Sequence, residues 1–177
     1  MRCIIPDLFA DDIFHIDYEL LFKQGFRLLV FDLDHTLIST ESSHVSVKTR
    51  RLLFKLKKMG FEIAFLSNTV VFWREKRVAN IVESTKINVF SVCCNGFHCK
   101  PNVWGYEEVC RLTGVESSEA VMIGDMLLRD IFGAIKAKYG FTVLVRPHGP
   151  DNIFILRCRI QEKKLLEWLI EIGAYKP

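Results

Sequence analysis

Short apolar runs alternate with helix-patterned segments along this chain, and that alternation restricts its fold more than any other feature. Arg27–Asp32 (RLLVFD), Glu62–Ser67 (EIAFLS), Val89–Cys93, Ala120–Gly124 (AVMIG) and Phe141–Val145 read as strands. Ser46–Met59, Trp73–Glu83, Val103–Thr113 and Leu127–Lys138 read as the helices between them, and Ile160–Ile172 as a closing helix. Gly60, Gly114 and Gly140 supply the stops. Strands that alternate with helices imply right-handed crossovers and a mainly parallel sheet. The expected architecture is a three-layer α/β/α, Rossmann-like fold with five strands, in one domain spanning residues 1–177. Residues 1–26 show no strong periodicity and read as a lead-in segment.

Charge and composition narrow the function classes. A net charge of +3 is too small for a nucleic-acid surface. The densest basic stripe, Lys48, Arg50, Arg51, Lys55, Lys57 and Lys58, fits the solvated face of a helix. Fourteen Phe point to a thick core, or to apolar surface left for a partner or a membrane. The sequence does not open on a charged region followed by an apolar run, and no stretch approaches the ~18 apolar residues of a spanning helix. The six cysteines then read as reduced thiols of a cytosol-like compartment, so a cytoplasmic protein is expected, with membrane contact at most peripheral.

Ligands of parallel sheets bind beyond the carboxyl ends of the strands, where the strand order reverses. Four strand ends here carry polar groups: Asp32-Leu33-Asp34-His35-Thr36, Ser67-Asn68-Thr69, Lys100-Pro101, and Gly124-Asp125 with Asp130 beyond it. Taken singly, each has a structural explanation. Asp125, Ser67 or Thr69 would serve as helix caps, and Lys100 as a solvated surface lysine. Their conjunction says more. Asp32 and Asp34 share a face of an extended segment. Carboxylates gathered at one sheet edge repel unless a cation sits among them, and oxygen ligands suit a hard ion such as magnesium. Lys100 and the Ser67 hydroxyl supply a cation and a donor for an anionic substrate. A carboxylate nucleophile, a second carboxylate, a lysine and a metal make a phosphoryl-transfer site.

DLDHT, SN, KP and GDMLLRD, in this order, resemble the four motifs of the haloacid-dehalogenase superfamily of phosphatases. The resemblance covers residues 4–172 and is nearest to the capless subfamily IIIA of the YqeG type, which includes phosphatidylglycerophosphate phosphatases. It implies roles for individual residues. Asp32 would take the phosphoryl group, and Asp34 would protonate the leaving oxygen and then activate water. Ser67, Asn68 and Lys100 would hold the phosphate, with Lys100 also balancing charge on the nucleophile. Asp32, Asp34 through its carbonyl, Asp125 and Asp130 would hold Mg2+. His35, Thr69, Met126 and Arg129 depart from the subgroup's pattern, and Arg129 is placed to draw Asp130 away from the metal by pairing with it.

The intervals from Asp32 to Ser67 and from Ser67 to Lys100 each hold one helix, with no room for an inserted cap. An open site is therefore expected, one that suits a phosphate carried on something larger. The reading is a phosphomonoesterase acting on a lipid-borne phosphate such as phosphatidylglycerophosphate. Its alternatives are a phosphatase of a soluble metabolite or nucleotide, and a binding or assembly factor that keeps the fold without turnover. Cys93, Cys94 and Cys99 lack the second ligand pair of a zinc site. His148 reads as a turn residue, and Arg157 and Arg159 as candidate lipid or phosphate contacts.

Overall fold

The computed structural model describes residues 4–39, 42–68, 73–151 and 153–173. Its strands are β1 Leu8–Ala10, β2 Leu28–Phe31, β3 Glu62–Asn68, β4 Phe90–Cys94, β5 Ala120–Gly124 and β6 Phe141–Val145. Its α-helices are α1 Tyr18–Lys23, α2 Val47–Lys58, α3 Trp73–Thr85, α4 Trp104–Thr113, α5 Phe132–Lys136 and α6 Ile153–Glu171. All strand pairs are parallel, in the order β1-β6-β5-β2-β3-β4.

The sheet thus has six strands, not the five expected from sequence. The extra one comes from the lead-in segment, whose Leu8–Ala10 pairs with Val143–Val145 at the sheet edge. Three residues are too few to show a period. They are held instead by Asp7, whose Oδ2 accepts from the Thr142 backbone N–H and the Thr142 hydroxyl, both at 2.8 Å.

Side chains alternate across the strands, so each strand feeds two cores. Leu29, Phe31, Ile63, Phe65, Val121 and Ile123 join Leu53 and Leu56 of α2 and Ile81 of α3 on one face. Leu28, Val30, Ala64, Leu66 and Met122 join Tyr106 and Val109 of α4 and Ala134 of α5 on the other. Burial on both faces explains the continuous apolar runs. Ser46 starts α2 by accepting the Thr49 N–H at 3.0 Å.

Two expected elements differ in detail. The segment after β5 opens with a π-helical turn, Leu127–Ile131, before α5. The closing helix begins at Ile153 rather than Ile160, because the face of its first turns packs on polar groups of the strand ends and carries no apolar period.

Replacing Asp7 with Ala removes the partner of two Thr142 donors in a fully buried residue. The variant should lose about 1–3 kcal/mol of stability in urea unfolding. An unchanged midpoint would show that β1 is not held this way.

Candidate active site

The strand order turns back between β2 and β5, and both strands end on carboxylates. Asp32 keeps its N–H on the Ile123 carbonyl at 2.9 Å, one step past the ladder of β2 and β5. Asp125 follows Gly124 directly. Both acids are buried.

Lys100 comes from the loop after β4. Asn68 clamps its backbone from both sides: Lys100 N–H donates to Asn68 Oδ1 at 2.8 Å, and Asn68 Nδ2 donates to the Lys100 carbonyl at 3.3 Å. The Lys100–Pro101 peptide bond is cis. Only 3% of the Lys100 side chain is exposed, and its ammonium donates to Asp32 Oδ1, to Asp130 Oδ1 at 2.6 Å and to the Leu66 carbonyl at 2.9 Å. This lysine is no surface residue.

Asp130 reaches the site because the π turn folds it back over the end of β5. A Cβ at position 124 would sit 2.5 Å from the Asp130 carboxyl, so the approach requires Gly124. Asp130 Oδ2 accepts from Met126 N–H at 3.0 Å. Its cation is therefore Lys100; Arg129, the partner anticipated from sequence, lines the cavity instead.

Asp125 does not cap the following helix. Its Oδ1 accepts from the Thr36 hydroxyl at 3.2 Å, and its Oδ2 and backbone carbonyl accept from the Arg159 guanidinium. Arg159 Nε also donates to Asp151 Oδ2 at 2.7 Å. Asp34 is engaged by Arg77 of α3 at 2.7 Å, while the same guanidinium donates to the Ser42 carbonyl at 2.8 Å and the Ser39 carbonyl at 3.3 Å.

Burial pushes the Asp32 carboxyl well above the ordinary range, with Asp130 and Asp125 adding to the effect and Lys100 opposing it. Burial works against the Lys100 ammonium, but Asp130 and Asp32 outweigh it and raise its pKa. Burial and Asp130 also raise Asp125, against Arg159. The site is thus short of positive charge. Oxygens of Asp32, Asp125 and Asp130 lie within 4.8 Å of one another. An all-carboxylate, electron-rich set of this kind fits a hard divalent cation such as magnesium.

A cavity of about 70 Å³ joins Asp32, Asp34, Ser67, Asn68, Lys100 and Asp125. Every site residue expected from sequence is at this strand edge; Thr69 lies outside the described residues. The openness expected there is reduced by Ile155 of α6, which lines the same cavity. Ile155, Arg159 and Glu162 share one face of α6. Glu162 accepts from the N–H groups of Leu127 and Leu128 at 3.1 and 2.8 Å, fixing the π turn. The sequence alone does not point to these roles for Arg77, Arg159, Glu162 and Ile155. Arg77 and Glu162 lie in expected helices, where a charge reads as part of a solvated face; Arg159, expected as a lipid or phosphate contact, is instead paired with Asp125 and Asp151, and the spacing of 155, 159 and 162 is the available signal. His35, at φ 62°, is bonded to His148 through both backbone and ring, so His148 clasps the nucleophile loop rather than merely turning the chain. Cys94 is buried against Gly105, and burial pushes its thiol up to about 11.

The family model of haloacid dehalogenase-like hydrolases matches residues 46–138, just over half of the chain. The chain is 28% identical over 173 residues to a protein described as probable phosphatase YqeG of Bacillus subtilis (strain 168), covering 97% of this chain and 95% of that one. It is 28% identical over 171 residues to phosphatidylglycerophosphate phosphatase 1, chloroplastic/mitochondrial, of Arabidopsis thaliana, covering 94% of this chain but only 48% of that protein. Among solved structures, a putative HAD-like phosphatase from Mesorhizobium loti superposes with a TM-score of 0.53 at 15% identity, over 73% of this chain and 77% of that one. An uncharacterized protein from Corynebacterium glutamicum ATCC 13032 does so with a TM-score of 0.52 at 18% identity, over 80% and 95%. These two likenesses concern the fold alone.

Lys100→Met leaves Asp32 and Asp130 buried without their shared cation. In EDTA the variant should lose roughly 3–5 kcal/mol in urea unfolding, and magnesium should restore part of it. Wild-type stability in EDTA would show that the ammonium does not hold these acids together.

Proposed function

The chain belongs to the haloacid dehalogenase-like hydrolase family and is a phosphatase, and from this we propose that it cleaves phosphate monoesters through a phospho-aspartate on Asp32, with magnesium as cofactor. The observation that carries the proposal is the contact of a buried lysine with two of three clustered carboxylates, one of which ends the central strand.

In this reading an Asp32 oxygen attacks phosphorus and the ester P–O bond breaks. Asp34 gives its proton to the departing oxygen. It then takes a proton from water as that water attacks the phosphorus of the phospho-aspartate, which frees phosphate and Asp32. Lys100 offsets charge on the nucleophile and on the phosphoryl oxygens. The Ser67 hydroxyl, in the cavity wall, serves as a donor to the phosphate, while Asn68 acts mainly by holding Lys100 in place. Asp32, Asp125 and Asp130, with the Asp34 carbonyl, would hold the magnesium ion. When bound, the ion supplies the positive charge that these acids lack.

The substrate we propose is lipid-borne, of the phosphatidylglycerophosphate kind. Two features support it besides the Arabidopsis relative. Exposed apolar side chains flank the site: Phe97, 98% exposed and three residues before Lys100, and Ile153, 59% exposed at the start of α6. On α2, Lys55 and Lys57 are paired with Glu19 and Glu62, while the exposed Arg50 and Arg51 add attraction to anionic lipid, about 1 kcal/mol for each one near the surface. No helix among the described residues is long and apolar enough to cross a membrane. The association proposed is therefore peripheral, with the bilayer presenting the phosphate.

Asp32→Asn should fold and lose essentially all turnover of an aryl phosphate, because an amide cannot form the acyl phosphate. EDTA should abolish the activity, and magnesium should restore it better than calcium. Retained turnover in either case contradicts the mechanism. For the substrate, kcat/KM on phosphatidylglycerophosphate in anionic vesicles should exceed that on soluble sugar phosphates and fall as salt rises. Preference for a soluble phosphate without vesicle binding removes the lipid and leaves the mechanism standing.

A further inference from the structure

Among the described residues, Lys100 and Arg159 are the two cations paired with the clustered acids Asp32, Asp125 and Asp130, and they are held in different ways. Lys100 is fixed: Asn68 grips its backbone from both sides, and its ammonium, almost wholly buried, serves Asp32 and Asp130. Arg159 arrives on α6, whose buried residues are only Glu162 and Leu169. Ile153, Phe154, Leu156 and Ile160, in the first turns of this helix, are exposed. The first half of α6 is thus seated on the site by the polar contacts of Arg159 and Glu162, with Ile155 in the cavity wall.

The Arg159 guanidinium stands between two acids. Its Nη2 donates to Asp125 Oδ2 and its Nη1 to the Asp125 carbonyl at 3.0 Å, while its Nε donates to Asp151 Oδ2 at 2.7 Å. The Thr36 hydroxyl donates to Asp125 Oδ1 at 3.2 Å. Both carboxylate oxygens of Asp125 are therefore engaged, Oδ2 by a full positive charge. Asp151 is the opposite case. Its Oδ1 is buried and accepts no hydrogen bond among the described residues; His35 Nε2 lies 3.7 Å away, beyond hydrogen-bond distance. The fork of an arginine matches both oxygens of one carboxylate. Arg159 can thus exchange Asp125 Oδ2 for Asp151 Oδ1 by a shift of Nη2, with Nε left where it is.

We infer that Arg159 is a positioning residue that controls magnesium access to Asp125: its guanidinium holds the Asp125 carboxylate before the cation arrives, and moves wholly onto Asp151 when the cation takes that carboxylate. The inference rests on the magnesium proposed above and deepens it. The coupling is reciprocal: whatever keeps Arg159 on Asp125 weakens the metal, and the metal weakens the seat of the first turns of α6. Loading of the metal site is thereby linked to the helix whose Ile155 lines the cavity.

Magnesium affinity, measured without turnover, tests this. In isothermal titration with magnesium chloride alone, Arg159→Gln should bind the ion about tenfold more tightly than the unmutated protein. Loss of a merely structural contact would leave the affinity unchanged or weaken it. Removing a positive charge also favours a cation from a distance, so the second arm is a double-mutant cycle with Asp151→Asn. That change should weaken magnesium about fivefold where Arg159 is present, because the guanidinium then has no second carboxylate to move to, and less than about twofold in the Arg159→Gln background. In the unmutated protein, the Arg159 Nε and Nη magnetic resonances should shift as magnesium is added. Unchanged or weaker binding by Arg159→Gln, an Asp151→Asn effect equal in both backgrounds, or Arg159 resonances unmoved at saturating magnesium overturns the inference and leaves the cofactor in place. No magnesium binding by any of the four proteins would instead remove the cofactor, and this inference with it.

Discussion

Gathering carboxylates at one edge of a parallel sheet is the constraint on which the rest of this structure depends. Asp32 and Asp125 end neighbouring central strands, and the π turn brings Asp130 over them. Each buried charge would cost several kcal/mol without a partner. The cations come from distant parts of the chain: Lys100 after β4, Arg77 from α3 and Arg159 from α6. Much of the loop and helix geometry follows from delivering them. Asn68 holds the Lys100 backbone, Glu162 holds the π turn, and Asp151 steadies Arg159.

The central strands and the acids were legible in the sequence for one reason. Strands buried on both faces must be continuously apolar, so a polar residue at the end of such a run stands out. Asp32, Ser67 and Asp125 stand out in this way, whereas Lys100, six residues past β4, is marked only by its Lys-Pro pair and its conjunction with them. What was not legible lay where the signal is weak or mimics something ordinary. β1 has only three residues and relies on Asp7 rather than on a pattern. The first turns of α6 face the site with Ile155, Arg159 and Glu162, a mixture with no apolar period, so the sequence marks a helix only from Ile160. Arg77 looks like any charge on an amphipathic helix until the fold brings it to Asp34.

In the proposed reaction the small cavity takes the phosphate among buried groups of fixed geometry. Nothing in the acid cluster depends on how the phosphate arrives, so mechanism and substrate choice are separable properties of this fold.

The central claim is that Asp32 carries the phosphoryl group. Acid-quenching the enzyme during turnover of an aryl phosphate, reducing with borohydride and sequencing the peptides by mass spectrometry tests it directly. The account predicts reduction of the acyl phosphate to the homoserine side chain at position 32 and at no other carboxylate. Modification at Asp34, Asp125 or Asp130 instead, or steady turnover with Asp32 never modified, would contradict it.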